Sequence, residues 1–398
     1  MTPIEKPSGR VNLAMNAVRF IAAVLVVIFH LRTLFIEDYS QVVDPSPVTT
    51  GIYAFASLGH QAVIVFFVLS GYWVGGSVIR ALQQERFSAG VYASARLVRL
   101  WLVLVPAIAL TLMLDAIGFA ARPQSDIYSG SVAYHSLLPA EGVGSRSGPG
   151  EVIGNALFLQ DVYVQPLGSN SPLWSLAAEF WYYVSFPALL ILVWRGVSIR
   201  ARATAAAVVF VAVAAIAAGP LEGHARVALL APTWAIGAAV AAMRGPVSRK
   251  LLSMSRLSST ILQVGLGMLV LGAAVVDSRV WSTGTTYFLA IATALWLASL
   301  VVDAPYPVVG RALAPISWSA EWSYSLYAIH MPVLTLIAAL LVPRASDRWA
   351  ISPLTVGLCA VLTLSVMAVA MAFYFCFERN TNAVRGFLRR IPNSAVVS

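Results

Sequence analysis

The sequence predicts an all-α fold: a bundle of about ten membrane-spanning helices with both termini in the cytoplasm. The first observation behind this prediction is composition. Of 398 residues, 59% are hydrophobic and only 11% are charged, with a mean hydropathy of +0.80, whereas soluble domains carry about 25% charged residues. The second observation is a series of long apolar segments, and the third is an unequal distribution of positive charge. Together they exclude a soluble protein.

Ten segments approach the ~20 apolar residues that a helix needs to cross a bilayer. The fifth and seventh are the shortest. In chain order the predicted spans are residues 12–35, 58–79, 97–118, 172–194, 203–219, 226–243, 260–276, 285–302, 322–342 and 355–377. Residues 119–171 form one long outer loop, rich in Gly, Ser and Pro, whose apolar stretch EVIGNALFLQDVY either dips into the membrane or packs on the bundle. We find no internal repeat, and residues 1–398 form a single domain in this prediction.

Positive charge sets the predicted orientation, because cytoplasmic loops of membrane proteins carry an excess of Lys and Arg. With the N-terminus inside, 18 of the 26 basic residues fall in cytoplasmic segments. The outer segments hold seven: Arg32, Arg122, Arg146, Arg226, Arg279, Arg344 and Arg348. The net charge of +9 is therefore explained by orientation, and it does not imply a nucleic-acid partner.

Arg19 and His30 lie in the interior of the first span, and Arg32 lies near its outer end. A charge at bilayer depth is costly, so such residues mark functional sites by default. Eleven residues at about 100° each return His30 to nearly the same helix face as Arg19, about 16 Å further along. The alternative is that neighbouring helices satisfy two purely structural polar groups.

The second and third spans carry shorter signals. Gly71 and Gly75 form a small-xxx-small pair that favours close helix packing. Arg96 and Arg99 share one helix face at the predicted cytoplasmic boundary, where two guanidinium groups suit a phosphorylated cytosolic ligand. Ordinary positive-inside anchoring explains the same two arginines.

The fourth and ninth spans add further candidates. Glu179 follows Trp174 by about a turn and a half, and it either pairs with an Arg, holds a His tautomer or binds a hydroxyl group. His330 lies at mid-membrane in SYSLYAIH, after Tyr327. Glu378 closes the tenth span, and we interpret it as structural. The two Cys and five His show no metal-ligand spacing, so no metal is expected.

Five stretches, in this order, resemble the acyltransferase-3 family of integral membrane acyltransferases. They are R-x10-H (Arg19 to His30), FFVLSGY (66–72), R-x-x-R (Arg96, Arg99), WSLAAEFWYY (174–183) and SYSLYAIH (323–330). The resemblance implies about ten helices and transfer of an acyl group, usually acetyl from cytosolic acetyl-CoA, to a hydroxyl group. The expected acceptor is a cell-surface or lipid-linked glycan such as O-antigen, lipopolysaccharide or exopolysaccharide, and the expected location is the bacterial cytoplasmic (inner) membrane. Macrolide-type small molecules and lipo-oligosaccharides are further acceptors among similar proteins, and the sequence does not choose between them.

The resemblance also implies residue roles. Arg19 and His30 match functional family positions, and Arg96 and Arg99 match the pair that we expect to bind acetyl-CoA. His30 acts as general base or carries the acetyl group, Arg19 holds the donor or stabilises negative charge, and Glu179 orients the imidazole or the sugar. We expect Trp174, Tyr327 and His330 to contact substrate.

Two departures from the family pattern affect these expectations. Relatives often carry an acidic residue shortly before the first-span Arg, where this chain has Asn16, so Glu179 becomes the expected partner of Arg19. Some relatives also carry a C-terminal hydrolase-like domain, which we do not expect here. The rival interpretation is a proton-coupled secondary transporter or glycan flippase, because interior Arg, His and Glu residues also suit a proton relay.

Overall fold

The computed structural model describes residues 9–244, 254–300 and 316–390, and within them it contains helices and loops but no strand beyond isolated bridges. Ten of these helices are long and apolar enough to cross a membrane, which confirms the predicted fold class. Residues 301–302 of the predicted eighth span lie outside the described residues. So do four basic residues of the charge count: Lys6, Arg249, Lys250 and Arg311.

We number the ten spanning helices α1 to α10. They are Gly9–Phe35, Gly59–Gln83, Ala89–Ala121, Ser171–Val193, Ile199–Ala217, Gly223–Ala242, Arg256–Val280, Thr283–Leu300, Ile316–Leu341 and Pro353–Cys376. The third and seventh helices are clearly longer than predicted. Each begins at a serine N-cap outside the apolar run, Ser88 and Ser255, whose side chain accepts a backbone N–H of the first turn.

Helix α1 joins the two halves of the bundle. It packs against α2 on one side and against α9 on the other, and α9 in turn packs against α3 and α10. Helices α6 and α8 pack against α2, with α7 on α8 and α5 on α4. Arg19, Arg96 and Arg385 line one cleft, so α1 begins and α10 ends on the same side. We call this side the terminal end, and the opposite side, which carries residues 122–170, the loop end.

The long connection at the loop end is ordered and packs on the bundle. It contains the helix Pro149–Ala156, and Phe158 and Val162 lie in the hydrophobic core. Asp115 of α3 accepts hydrogen bonds from the backbone N–H and hydroxyl of Ser169, at 2.9 and 2.6 Å. Asn170 donates to the carbonyl of Ala328 in α9 at 2.9 Å. The apolar stretch of the loop therefore packs on the helices, one of the two alternatives from the sequence.

Glycine allows α2 and α6 to cross at backbone contact. A Cβ atom on Gly71 would overlap the carbonyl oxygen of Trp234, and one on Gly237 would overlap that of Val68. The sequence predicted close packing at Gly71 and Gly75, and the structure shows α6 as the partner. Residues Gly71–Gly75 form a π-helical turn within α2, a feature that is frequent near functional sites.

We expect Gly237→Ala to destabilise the protein strongly, because the new methyl group meets a backbone carbonyl that cannot rotate away. Overpacking costs about 1–3 kcal/mol or more. Gly265→Ala is the matched control, since a Cβ there meets nothing within 4 Å and alanine favours helix by about 1 kcal/mol. Thermal unfolding of both purified variants in detergent checks this. Equal midpoints would show that the α2–α6 contact is not tight.

Candidate active site

Arg19 and His30 lie on the same helix but face different cavities. Arg19 lines a cavity of about 420 Å³ towards the terminal end, which we call the terminal-side cavity. His30 lines a cavity of about 390 Å³ towards the loop end, the loop-side cavity. The face of α1 on which both residues were predicted to lie therefore borders two cavities, because the residues that surround the helix differ along its length.

The terminal-side cavity gathers the charged candidates from three helices. Arg19 from α1, Arg96 and Arg99 from α3, and Glu179 from α4 all line it. Apolar side chains such as Phe66 and the hydroxyl-bearing residues of α9 complete the wall. Three guanidinium groups against one carboxylate leave this cavity with an excess of positive charge, which favours an anionic ligand.

Aromatic faces hold two of these guanidinium groups, those of Arg19 and Arg96, in place. The guanidinium carbon of Arg19 lies 5.2 Å from the centre of the Trp73 ring, and that of Arg96 lies 5.8 Å from Tyr92 and 5.9 Å from Tyr183. Stacked guanidinium groups keep their N–H edges available for bidentate hydrogen bonds. One N–H group of Arg19 donates a hydrogen bond to the carbonyl oxygen of Ala320.

Three buried donors at this cavity have no hydrogen-bond partner among the described residues: Arg19 Nε, Arg96 Nε and Tyr324 Oη. All three residues line the terminal-side cavity. Because buried polar groups in folded proteins are nearly always hydrogen-bonded, these donors indicate a site that water or a polar ligand fills.

Glu179 lies in this cavity beside the hydroxyl groups of Ser70 and Tyr183. Among the ion pairs of the described residues, none joins Glu179 to Arg19 within 4.0 Å, which differs from the expected pairing. The reason is that Arg19 is turned towards the backbone of α9 and the Trp73 ring. Glu179 is also absent from the cavity that His30 lines, so it does not set the imidazole tautomer.

A second, more polar opening continues from the terminal-side cavity to the terminal end. We call it the arginine cleft, with a volume of about 460 Å³. The cleft shares Arg19, Arg96 and Arg99 with the terminal-side cavity. Two further arginines and two glutamates also line it: Arg379, Arg385, Glu321 and Glu378. Glu378 accepts hydrogen bonds from the Ser325 backbone and hydroxyl at 3.1 and 2.6 Å. These contacts agree with the structural role predicted for Glu378.

His30 and His330 form a hydrogen-bonded pair inside the bundle. His330 Nε2 lies 3.1 Å from His30 Nδ1. Each Nδ1 also contacts a backbone carbonyl, Val26 O at 2.8 Å for His30 and Tyr327 O at 2.7 Å for His330. Carbonyl oxygens only accept, so both neutral rings carry their proton on Nδ1. His330 Nε2 then accepts from His30, and His30 Nε2 keeps a free lone pair.

This pairing gives His330 a different position from the expected one. His330 is fully buried and is not among the residues that line the loop-side cavity. It lies behind His30, outside the set of residues that line this cavity. Sequence alone could not show this, because the two histidines are 300 residues apart and neither motif reveals its partner.

Tyr327 stands between the two cavities. Together with Val63 it lines both of them. Its hydroxyl group accepts from Ser175 Oγ at 2.6 Å and donates to the carbonyl of Pro172 at 3.1 Å. These bonds hold the ring at the boundary between the terminal-side cavity and the cavity that His30 lines.

The loop-side cavity also contains polar groups that the sequence did not single out. Trp174, an expected substrate residue, lines it together with His60, Asp161, Arg226 and Trp281. Arg226 Nη2 lies 3.1 Å from Asp161 Oδ2. Burial raises the pKa of the Asp161 carboxyl group, and the neighbouring guanidinium of Arg226 opposes that rise. No motif marks these residues, because they come from separate loops and helices.

Comparison with known proteins adds one finding to this geometry. A sequence model of the acyltransferase-3 family, described as an acyltransferase domain, matches residues 12–375. The chain belongs to the acyltransferase-3 family. No curated protein and no solved structure matches it significantly. With its ten apolar helices, this member of the acyltransferase-3 family is an integral membrane acyltransferase.

In this acyltransferase we expect His330→Ala to reduce acyl transfer by about 10²-fold, the effect of a catalytic group misplaced by an ångström. His330→Asn should restore part of the activity, because its amide oxygen can accept from His30 Nδ1. The pH profile of kcat should shift in His330→Ala, which a loss of stability alone would not produce. His224→Ala is the control, since His224 bonds only locally to the Leu221 carbonyl. Full activity of His330→Ala would contradict the pairing.

Proposed function

We propose that this protein transfers an acetyl group from cytosolic acetyl-CoA to a hydroxyl group of a cell-surface or lipid-linked glycan in the bacterial cytoplasmic membrane. One observation carries the proposal. An arginine-lined cavity from one end of the bundle and a histidine-containing cavity from the other meet at Tyr327 and Val63. A donor and an acceptor that arrive from opposite sides would therefore meet next to His30.

The terminal end suits coenzyme A. Its phosphate groups match the excess of arginine in the arginine cleft, where guanidinium groups form charge-assisted hydrogen bonds. The pantetheine arm then extends into the terminal-side cavity, whose wall includes Phe66, Phe67 and Leu100. Arg19 lies where the cleft and the cavity join, so we assign it to holding the donor. The thioester comes to rest at Tyr327.

His30 acts as the general base in this proposal. Its Nε2 takes the proton of the acceptor hydroxyl group while the oxygen attacks the thioester carbonyl carbon. A C–O bond forms, the C–S bond breaks, and the imidazolium returns the proton to the thiolate of coenzyme A. His330 positions the imidazole through Nδ1. Transient acetylation of His30 Nε2 is the alternative route through the same nitrogen.

The first test measures acetyl-CoA binding and transfer by the purified protein in nanodiscs. We expect His30→Ala to bind acetyl-CoA but to lose transfer by about 10²- to 10⁴-fold, the usual contribution of a general base. Arg96→Ala/Arg99→Ala should lose binding. The control Arg86→Ala/Arg195→Ala removes two exposed arginines from the same end and should bind normally.

Two outcomes would overturn this assignment. Full transfer by His30→Ala would remove the histidine from the mechanism. A wild-type protein that neither binds nor consumes acyl-CoA, but moves a glycan in response to a proton gradient, would establish the transporter interpretation instead.

Tyr327 provides a separate test of the meeting point. We expect Tyr327→Ala to open the passage, so that water from the loop-side cavity reaches the thioester. The ratio of acetyl-CoA hydrolysis to acetyl transfer should then rise about tenfold or more, a barrier change of about 1.4 kcal/mol. Tyr163→Ala is the matched control, because Tyr163 lines neither cavity. An unchanged ratio in Tyr327→Ala would show that the residue does not separate the cavities.

A further inference from the structure

The loop-side cavity contains a stack of planar side chains from three helices and the end of a fourth. The ring centres of Trp281 and His60 lie 4.9 Å apart with 29° between the planes, and those of His60 and Trp174 lie 6.4 Å apart with 25° between them. The guanidinium carbon of Arg226 lies 4.8 Å from the centre of the Trp174 ring. All four residues line the cavity that His30 lines.

Trp281 is the open end of this stack. One face of its ring meets His60, yet 60% of the residue stays exposed, so the other face is free for a ligand. Its backbone is left-handed, with φ 51° and ψ 50°, a conformation that is unusual for a bulky side chain and that clusters at functional sites.

The surroundings hold Trp281 in that conformation. Its backbone N–H donates to the carbonyl of Asp277 at 3.0 Å, and its indole N–H donates to that of Ser278 at 2.7 Å. The buried Asp277 side chain accepts from Gln61 at 2.9 Å and from Thr285 at 2.7 Å. A tryptophan that only anchors a helix turns its indole N–H to the lipid headgroups. In Trp281 the indole N–H is instead hydrogen-bonded within the protein.

Polar groups face the same space. Asp161 is buried and has a left-handed backbone, with φ 68°. Within the described residues its Oδ2 receives no hydrogen bond of normal geometry, although Arg226 is 3.1 Å away. An aromatic face beside a carboxylate and a guanidinium group is the combination that binds a sugar ring, whose C–H face is apolar and whose hydroxyl groups donate and accept.

We propose that Trp281, His60, Asp161 and Arg226 form the acceptor subsite. One pyranose ring of the glycan stacks on Trp281, while Asp161 and Arg226, at the other end of the stack, bind the hydroxyl groups of another ring. This inference rests on the proposed function for its direction, since the ring next in the cavity would then present a hydroxyl group to His30. It specifies the acceptor as a cyclic sugar recognised through its apolar face.

The experiment measures saturation-transfer difference NMR on the full-length protein in detergent. The probes are the methyl pyranosides of glucose, galactose, mannose and rhamnose, with mannitol as the acyclic control. We expect saturation of the ring C–H protons of at least one pyranoside and none of mannitol. Trp281→Ala should weaken binding about fivefold or more, the contribution of one aromatic contact.

Two further variants make the result decisive. Trp281→Phe should restore part of the binding, because it keeps an aromatic face. Trp318→Ala removes a similarly exposed tryptophan that lines neither cavity, and it should bind as wild type. Size-exclusion elution and thermal unfolding confirm that each variant is folded.

The outcomes also separate this subsite from the transfer reaction. Absence of pyranoside binding, or binding that survives Trp281→Ala, overturns the subsite even if the protein consumes acetyl-CoA. Trp281-dependent binding in a protein that consumes no acetyl-CoA supports the subsite and overturns the acyl transfer.

Discussion

The rest of this structure depends on one constraint, the high cost of an ionisable side chain in the hydrocarbon layer. Helix α1 carries Arg19 and His30, so protein must surround it on every side that these residues face. Helices α2 and α9 do so, and the cavities form where their side chains leave room around the two residues. The same requirement brings Trp73 over the guanidinium group and His330 against the imidazole. The packing that buries Arg19 and His30 therefore also forms the site.

In the proposed reaction, donor and acceptor enter from opposite sides and meet at one junction, where Tyr327 and Val63 line both cavities. The hydrogen bonds of Tyr327 to Ser175 and Pro172 tie the junction to the start of α4. The loop end is held to the same region, because Asn170 bonds to the carbonyl of Ala328 in α9. The loop-side cavity and the junction are therefore tied to the same helices, α4 and α9. The arginine cleft is lined by α1, α3, the start of α9 and residues from the end of α10 onwards.

Much of this could be predicted from the sequence. Span number and approximate position follow from apolar length, and the seventh helix begins earlier than predicted because its serine N-cap lies beyond the apolar run. Arg19, Arg96, Arg99 and Glu179 do line one cavity. The partners of these residues were not predictable. Arg19 bonds to a carbonyl of α9 rather than to Glu179, and backbone carbonyls leave no trace in a sequence.

The sequence by itself determined that the chain is a helical membrane protein, and its ordered motifs identified the acyltransferase-3 family. Periodicity and hydropathy are local, and they suffice for that purpose. Only the tertiary structure decided that His30 pairs with His330, that Tyr327 separates two cavities, and that Trp281 stacks on His60. Each of these depends on helices that are distant in sequence. Their relative placement is set by packing such as the Gly71–Trp234 contact, which no single segment encodes.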